Sequence, residues 1–232
     1  MEVYNDACKV ELVSSESKEE AIEKISKDLA MFLKEKLNEI NEVNIYVSGG
    51  NTPLLIYEKL LLNQDFVTYA SRCRFIMVDE RYLDFIDKNN NSGQCWRHFV
   101  RNVNCLEYIY PKTNFSLKES VLDWDDKLKI LYNKTIHLSI LGTASDGHVA
   151  SVFPMSEVLV QGDYCFSCHV PKVGERLSLT MDALNKSEEH WVIALGKEKE
   201  SIAEMAKENN NSKMPIFQLS SKKSIKWYVS KN

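Results

Sequence analysis

Apolar residues recur at helical spacing through 17–40, "SKEEAIEKISKDLAMFLKEKLNEI", where Ile22, Ile25, Leu29, Phe32, Leu33 and Leu37 fall on one side. This pattern predicts a long amphipathic helix. The period then shortens. Ile45, Tyr46 and Val47 close a buried strand over Val43–Val47, and a helix with one apolar face follows over Leu54–Leu62. Phe75 to Val78 reads as a second buried strand, Cys95 to Val103 as helix, and 116–132 as another helix. Ile136 to Gly142 makes a third strand, "RLSLTM" at 176–181 alternates like a strand, and 190–196 is a fourth core strand with a helix after it. "KSIKWYVS" closes the series, while "KNNNSGQ" (Lys88 to Gln94) and "KENNNSK" (Lys207 to Lys213) read as polar surface loops. Strand and helix alternating at this spacing predict an α/β chain with a mostly parallel sheet, helices on both faces, and a single domain over 1–232.

Ligands on such sheets sit beyond the carboxyl ends of the strands. The unusual polar runs "SGGNTP", "DER" and "GTASDGH" each follow a predicted strand, so they converge on one edge. In the first run, Gly49 and Gly50 permit a sharp turn and close approach of a ligand to main-chain N–H groups. Pro53 suits a first helical position and Thr52 or Asn51 a cap. Ser48, Gly49, Gly50, Asn51 and Thr52 therefore form a candidate anion seat at a helix N-terminus. Taken alone, the default reading of such a stretch is an ordinary strand–helix turn. It lacks the Gly-Lys-Ser/Thr of a Walker loop and the third glycine of the dinucleotide fingerprint.

Composition narrows the classes. The chain has 232 residues, 44% of them hydrophobic and 27% charged, and a formal net charge of −4. That balance argues against a general nucleic-acid or anionic-membrane binder, so any anion must be held by a few placed cations. No apolar run is long enough to span a bilayer, and the acidic N-terminus lacks a signal core, which makes the cytoplasm the expected compartment. The six cysteines look scattered and reduced. "CFSCH" (Cys165 to His169) matches a haem-attachment pattern, but without export signal or second ligand pair it reads as buried thiols on a strand.

"GTASDGHVASVFP" is the most informative run. Asp146 stands two residues before His148, where a carboxylate can orient an imidazole as a general base for water. The competing reading has Asp146 capping the next helix and His148 merely packing. "VDERY" supplies Arg81, suited to a bidentate contact with phosphate or carboxylate, or to a surface ion pair. Arg176, Lys197 and Lys199 are weaker candidates whose default is solvated surface.

In this order, "VSGGNTP", "VDERY", "LGTASDGHVASVFP", "RLSLTMDALN" and "GKEKE" resemble the 6-phosphogluconolactonase family over nearly the whole chain. The resemblance implies a Rossmann-like fold shared with glucosamine-6-phosphate deaminases. It also implies hydrolysis of 6-phosphoglucono-1,5-lactone without metal or other cofactor. His148 would activate water and Asp146 would orient it. Ser48 to Thr52, Arg81, Arg176 and Lys199 would hold phosphate, sugar oxygens or the developing oxyanion. In some lineages the family's domain is fused to glucose-6-phosphate dehydrogenase, so such a fusion or association is an expected partnership.

There are departures. Ala144 stands where the family usually has a second glycine, and the run after Arg81 aligns ambiguously, so no site residue is carried into it. In the rival deaminases a glutamate sits at the position of Phe153, which cannot transfer a proton. A non-catalytic sugar-phosphate sensor is the remaining alternative, though such proteins are expected to lose the Asp-Gly-His run or add a DNA-binding appendage.

Overall fold

A computed structural model describes residues 9–207 and 213–231. In chain order the elements begin with β1 (Lys9–Ser15), α1 (Lys18–Glu39), β2 (Val43–Val47), α2 (Asn51–Leu60), α3 (Gln64–Ala70) and β3 (Cys73–Met77). Next come β4 (Asp79–Arg81), α4 (Asn91–His98), β5 (Glu107–Ile109), α5 (Leu117–Leu131) and β6 (Leu138–Gly142). The chain continues through β7 (Glu157–Gln161), β8 (Cys165–Val170), β9 (Gly174–Leu179), α6 (Met181–Leu184), β10 (Glu189–Leu195), α7 (Glu200–Lys207) and β11 (Ser224–Ser230).

Seven strands form one sheet in the order β1-β11-β10-β6-β2-β3-β5, and each adjacent pair is parallel. Its strands are continuous apolar runs because both faces are covered. Ile45, Val47, Phe75 and Ile193 pack with α1 and α2 residues such as Leu29, Leu33 and Ile56 on one face. Tyr46, Ile76, Leu141 and Val192 pack with Trp124 and Leu128 of α5 on the other. From β2 the chain moves outward to β3 and β5, then returns to β6 and moves the other way. The order therefore reverses between β2 and β6, which places the switch-point crevice where "SGGNTP" and "GTASDGH" leave their strands.

The chain also makes a second sheet, four antiparallel strands in the order β4-β9-β8-β7. The sequence reading did not foresee it. Asp79–Arg81, expected as a cluster after a strand, is itself a short strand paired with β9. Of the alternating run at 176–181, the first four residues belong to this sheet, while Thr180 caps α6 and Met181 begins it. Cys165 and Cys168 are buried thiols on β8, as expected for that run. The polar run Lys88–Gln94 is only half loop, because Asn90 caps a helix by accepting from the Gly93 N–H at 2.6 Å. Of the second Asn-rich run, 208–212 lie outside the described residues. Among the described residues no helix is long and apolar enough to cross a membrane.

Candidate active site

The glycine turn opens α2 differently from the expected cap. Gly50, at φ 94°, is the capping residue itself and makes no side-chain cap bond; Asn51 and Thr52 are the first two helical residues and Pro53 the third. Pro53 still removes an N–H that would have had no partner. The N–H groups of Asn51 and Thr52 thus face the crevice with the positive end of the helix dipole. Gly49 has a steric reason to be glycine: a Cβ there would come within 2.5 Å of the Asn91 side chain. Ser48 is buried and donates from Oγ to the Ile140 carbonyl at 2.9 Å, tying β2 to β6 at the floor.

These residues line a cavity of about 400 Å³ whose wall also contains Asp79, Arg81, Asn91, Gly142, Thr143, His148, Ala150, Phe153, Arg176 and Lys199. The expected site residues Ser48 to Thr52, Arg81, His148, Arg176 and Lys199 therefore converge on one concavity. Asp146 stands behind His148. Its Oδ1 accepts from the ring Nδ1 at 2.6 Å and from the His148 backbone N–H at 3.2 Å. With Nδ1 donating to a carboxylate, Nε2 is the basic nitrogen. The other support is Phe153, whose ring stacks on the imidazole with centroids 4.2 Å apart and an interplanar angle of 23°. Between them Ala150 adopts φ 51°, in a turn closed by Val149 and Val152 main-chain bonds at 3.4 and 2.9 Å.

The cations are gathered against their mutual repulsion. Arg81 and Arg176 sit directly opposite each other across β4 and β9, a cross-strand pairing of like charges that is unfavourable without an anion between them. Arg81 donates from Nη1 to the Asn89 carbonyl at 3.0 Å. Arg176 Nε is buried with no hydrogen-bond partner. Burial lowers the Arg176 pKa, nearby Asp79 pulls it back up, and Arg81 pushes it down further. Burial likewise lowers that of Lys199, against the pull of Glu198. Partly desolvated cations beside unbonded main-chain N–H groups make an anion site of the kind a phosphate fills.

Asp79, Asn91 and Thr143 are polar residues of the wall that sequence reasoning did not place here, and Ser151 stands behind Asp79, donating to its Oδ2 at 2.7 Å. Glu80, fully buried, accepts main-chain N–H bonds from Arg81 (2.7 Å), Asn91 (2.6 Å) and Ser92 (2.7 Å), which fixes the start of α4 against β4. Burial pushes its carboxyl up to about 7, against these donors. The signal that could have found Asn91 was Asn90 as a helix cap, since that puts the next residue at the edge of the crevice. Among the described residues no three His, Cys, Asp or Glu side chains converge as a metal-holding group.

A family model described as glucosamine-6-phosphate isomerases/6-phosphogluconolactonase matches residues 16–227. The chain belongs to this family. Within it, the chain is 28% identical to a 6-phosphogluconolactonase of Thermotoga maritima over 90% of this chain and 92% of that one. The crystal structure of a T. maritima 6-phosphogluconolactonase superposes with a TM-score of 0.80 at 22% identity, covering 96% of this chain and all of that one. A bifunctional glucose-6-phosphate 1-dehydrogenase/6-phosphogluconolactonase of Plasmodium falciparum is 36% identical over 52% of this chain, a stretch that spans 14% of its own length. A monomeric glucosamine-6-phosphate deaminase also superposes, with a TM-score of 0.75 at 15% identity over 95% of this chain and 97% of that one. The fold is thus shared with a deaminase and does not by itself choose between the two activities that the family description names.

Proposed function

We propose that this protein hydrolyses 6-phosphoglucono-1,5-lactone to 6-phosphogluconate, without a metal ion. The observation that carries the proposal is His148 held at Nδ1 by Asp146 in the wall of a cavity that also contains Arg81, Arg176 and Lys199. Nε2 takes a proton from a water as its oxygen bonds to the lactone carbonyl carbon. The tetrahedral oxyanion is stabilised by the surrounding cations and N–H donors. It collapses with cleavage of the bond to the ring oxygen, which accepts the proton from the imidazolium. Asp146 holds the ring and stabilises its charged form. The phosphate dianion binds in the same basic concavity, where the N-terminus of α2 adds its dipole.

The deaminase alternative needs a proton-transferring carboxylate where this chain has Phe153, and that ring is stacked on His148. The names of the relatives support the lactonase reading, and those that are bifunctional support a glucose-6-phosphate dehydrogenase, fused or separate, as the source of substrate. The test is turnover of freshly made lactone in excess of its spontaneous opening, with and without a chelator. Chelator-insensitive turnover is expected. Binding without turnover, or release of ammonia from glucosamine 6-phosphate, overturns the proposal.

A further inference from the structure

The basic cavity has one carboxylate in its wall among the described residues, that of Asp79. It is 8% exposed and is held from two other segments of chain. Ser151 Oγ donates to Oδ2 at 2.7 Å, and Asn91 Nδ2 donates to Oδ1 at 3.3 Å. Its supports are themselves fixed: the Ser151 N–H donates to Ser178 Oγ at 3.1 Å, and the Asn91 N–H donates to Glu80. An ionised carboxylate accommodates about four hydrogen bonds. Asp79 has two, one of them long, and Arg176 acts on it electrostatically without forming a close ion pair.

A buried, under-bonded carboxylate facing a site for a dianion is costly unless a donor completes it. Phosphate oxygens cannot. Arginine, lysine and N–H groups in the wall have nothing to accept with, and its neutral acceptors on Asn51, Thr52, Asn91 and Thr143 are weaker than a charged one, so a sugar-ring hydroxyl binds best to a charged acceptor. We propose that Asp79 is that acceptor: it hydrogen-bonds a ring hydroxyl of the bound sugar phosphate and makes the site select hydroxylated over deoxygenated substrates. This rests on the lactonase reading for the identity of the ring. Asp79 is a specificity residue here, and His148 keeps the chemistry.

The experiment compares kcat/KM of the wild type and Asp79→Asn for the lactone and for its singly deoxygenated analogues at carbons 2, 3 and 4. The wild type is expected to disfavour one analogue by about 10- to 100-fold, the usual worth of a hydrogen bond to a charged group. Asp79→Asn should lose a similar factor on the parent lactone while treating that analogue much as the wild type does, so that the discrimination collapses. Ser151→Ala, which keeps the charge but removes its support, should erode discrimination at the same carbon. A wild type that treats every analogue within about twofold of the parent overturns the proposal whether or not any variant folds. So does an Asp79→Asn enzyme that discriminates as before. A wild type that hydrolyses none of the lactones instead defeats the reading of the reaction. Calorimetric affinities for 6-phosphogluconate and its deoxy analogues then read the Asp79 contact directly, and equal affinities overturn it.

Discussion

The two sheets contribute different things to the cavity. The parallel sheet supplies mainly backbone and position: strand ends at the switch point, the glycine turn into α2, Gly142 after β6, and Lys199 beyond β10. The small antiparallel sheet supplies charge and support. Arg81, Arg176 and Asp79 come from β4 and β9, and Ser178 of β9 holds the backbone of Ser151. Phe153 packs with Phe166, Cys168 and Val170 of β8, and on its exposed side it stacks on His148. The first set of features follows from the general geometry of doubly wound sheets. A deaminase structure with the same overall fold shows how little that geometry decides. The smaller sheet and the loop beside it carry Asp79, Arg81, Arg176 and the support of Ser151, on which the proposed reaction depends.

The sharpest way to break this division is to remove the group at its junction. His148 leaves the parallel sheet on the loop after β6, yet it is held from behind by Asp146 and from the side by Phe153. His148→Asn should fold normally, since the side chain is partly exposed at the cavity wall. It should lose on the order of 10²–10⁴-fold in kcat after subtraction of the spontaneous rate. A variant hydrolysing at the wild-type rate would remove the general base from the mechanism and leave the small sheet with no claim on the chemistry.

A smaller effect compares the two sheets as anion binders. Arg176→Ala removes a partly buried cation of β9, and Lys199→Ala one from the end of the parallel sheet. Each should weaken substrate binding by about 1.5–3 kcal/mol if a charge-assisted hydrogen bond to phosphate or oxyanion is lost. The division between KM and kcat then assigns the contact, because a phosphate contact raises KM and an oxyanion contact lowers kcat. Unchanged kinetics in both variants would return these cations to ordinary surface charge.

Legibility in the sequence follows the same division. Helix α1 and strands β2 and β10 were readable to within a residue or two, because long apolar runs and a sustained 3.6-residue period leave few alternatives. The second sheet was not readable. Its strand β4 is Asp-Glu-Arg, three charged residues with no alternation, and it becomes a strand only because β9 lies alongside. Strand β7 is largely exposed and carries no buried pattern to find. In the site, Arg81 and the Asp146–His148 pair stood out by residue type after predicted strands, whereas Arg176 and Lys199 read as solvated surface by type and were reached only through the family resemblance. Asn91 was hidden in an Asn-rich run. Asp79 was passed over because a carboxylate in an anion pocket makes sense only once its neighbours are in place.

The finest test concerns the turn that joins the two regions. Ala150 is held at φ 51°, a left-handed conformation that costs a non-glycine residue about 1–2 kcal/mol. The Val149–Val152 main-chain bonds around it bring Phe153 back toward His148, so the strain sits where the small sheet meets the loop that carries His148. Ala150→Gly removes that strain. The greater freedom of glycine in the unfolded chain takes back about 0.4–1 kcal/mol, which leaves a net stabilisation between zero and about 1.6 kcal/mol. The urea midpoint should therefore rise, with an unchanged slope. Turnover should fall modestly, because glycine permits conformations in which Phe153 no longer sits against the imidazole. A midpoint that falls would mean Ala150 is relaxed where it stands and its methyl group, which lines the cavity, contributes packing instead. A higher midpoint with full activity would show that Asp146 alone suffices to hold His148, and that the stacked ring adds nothing to the rate.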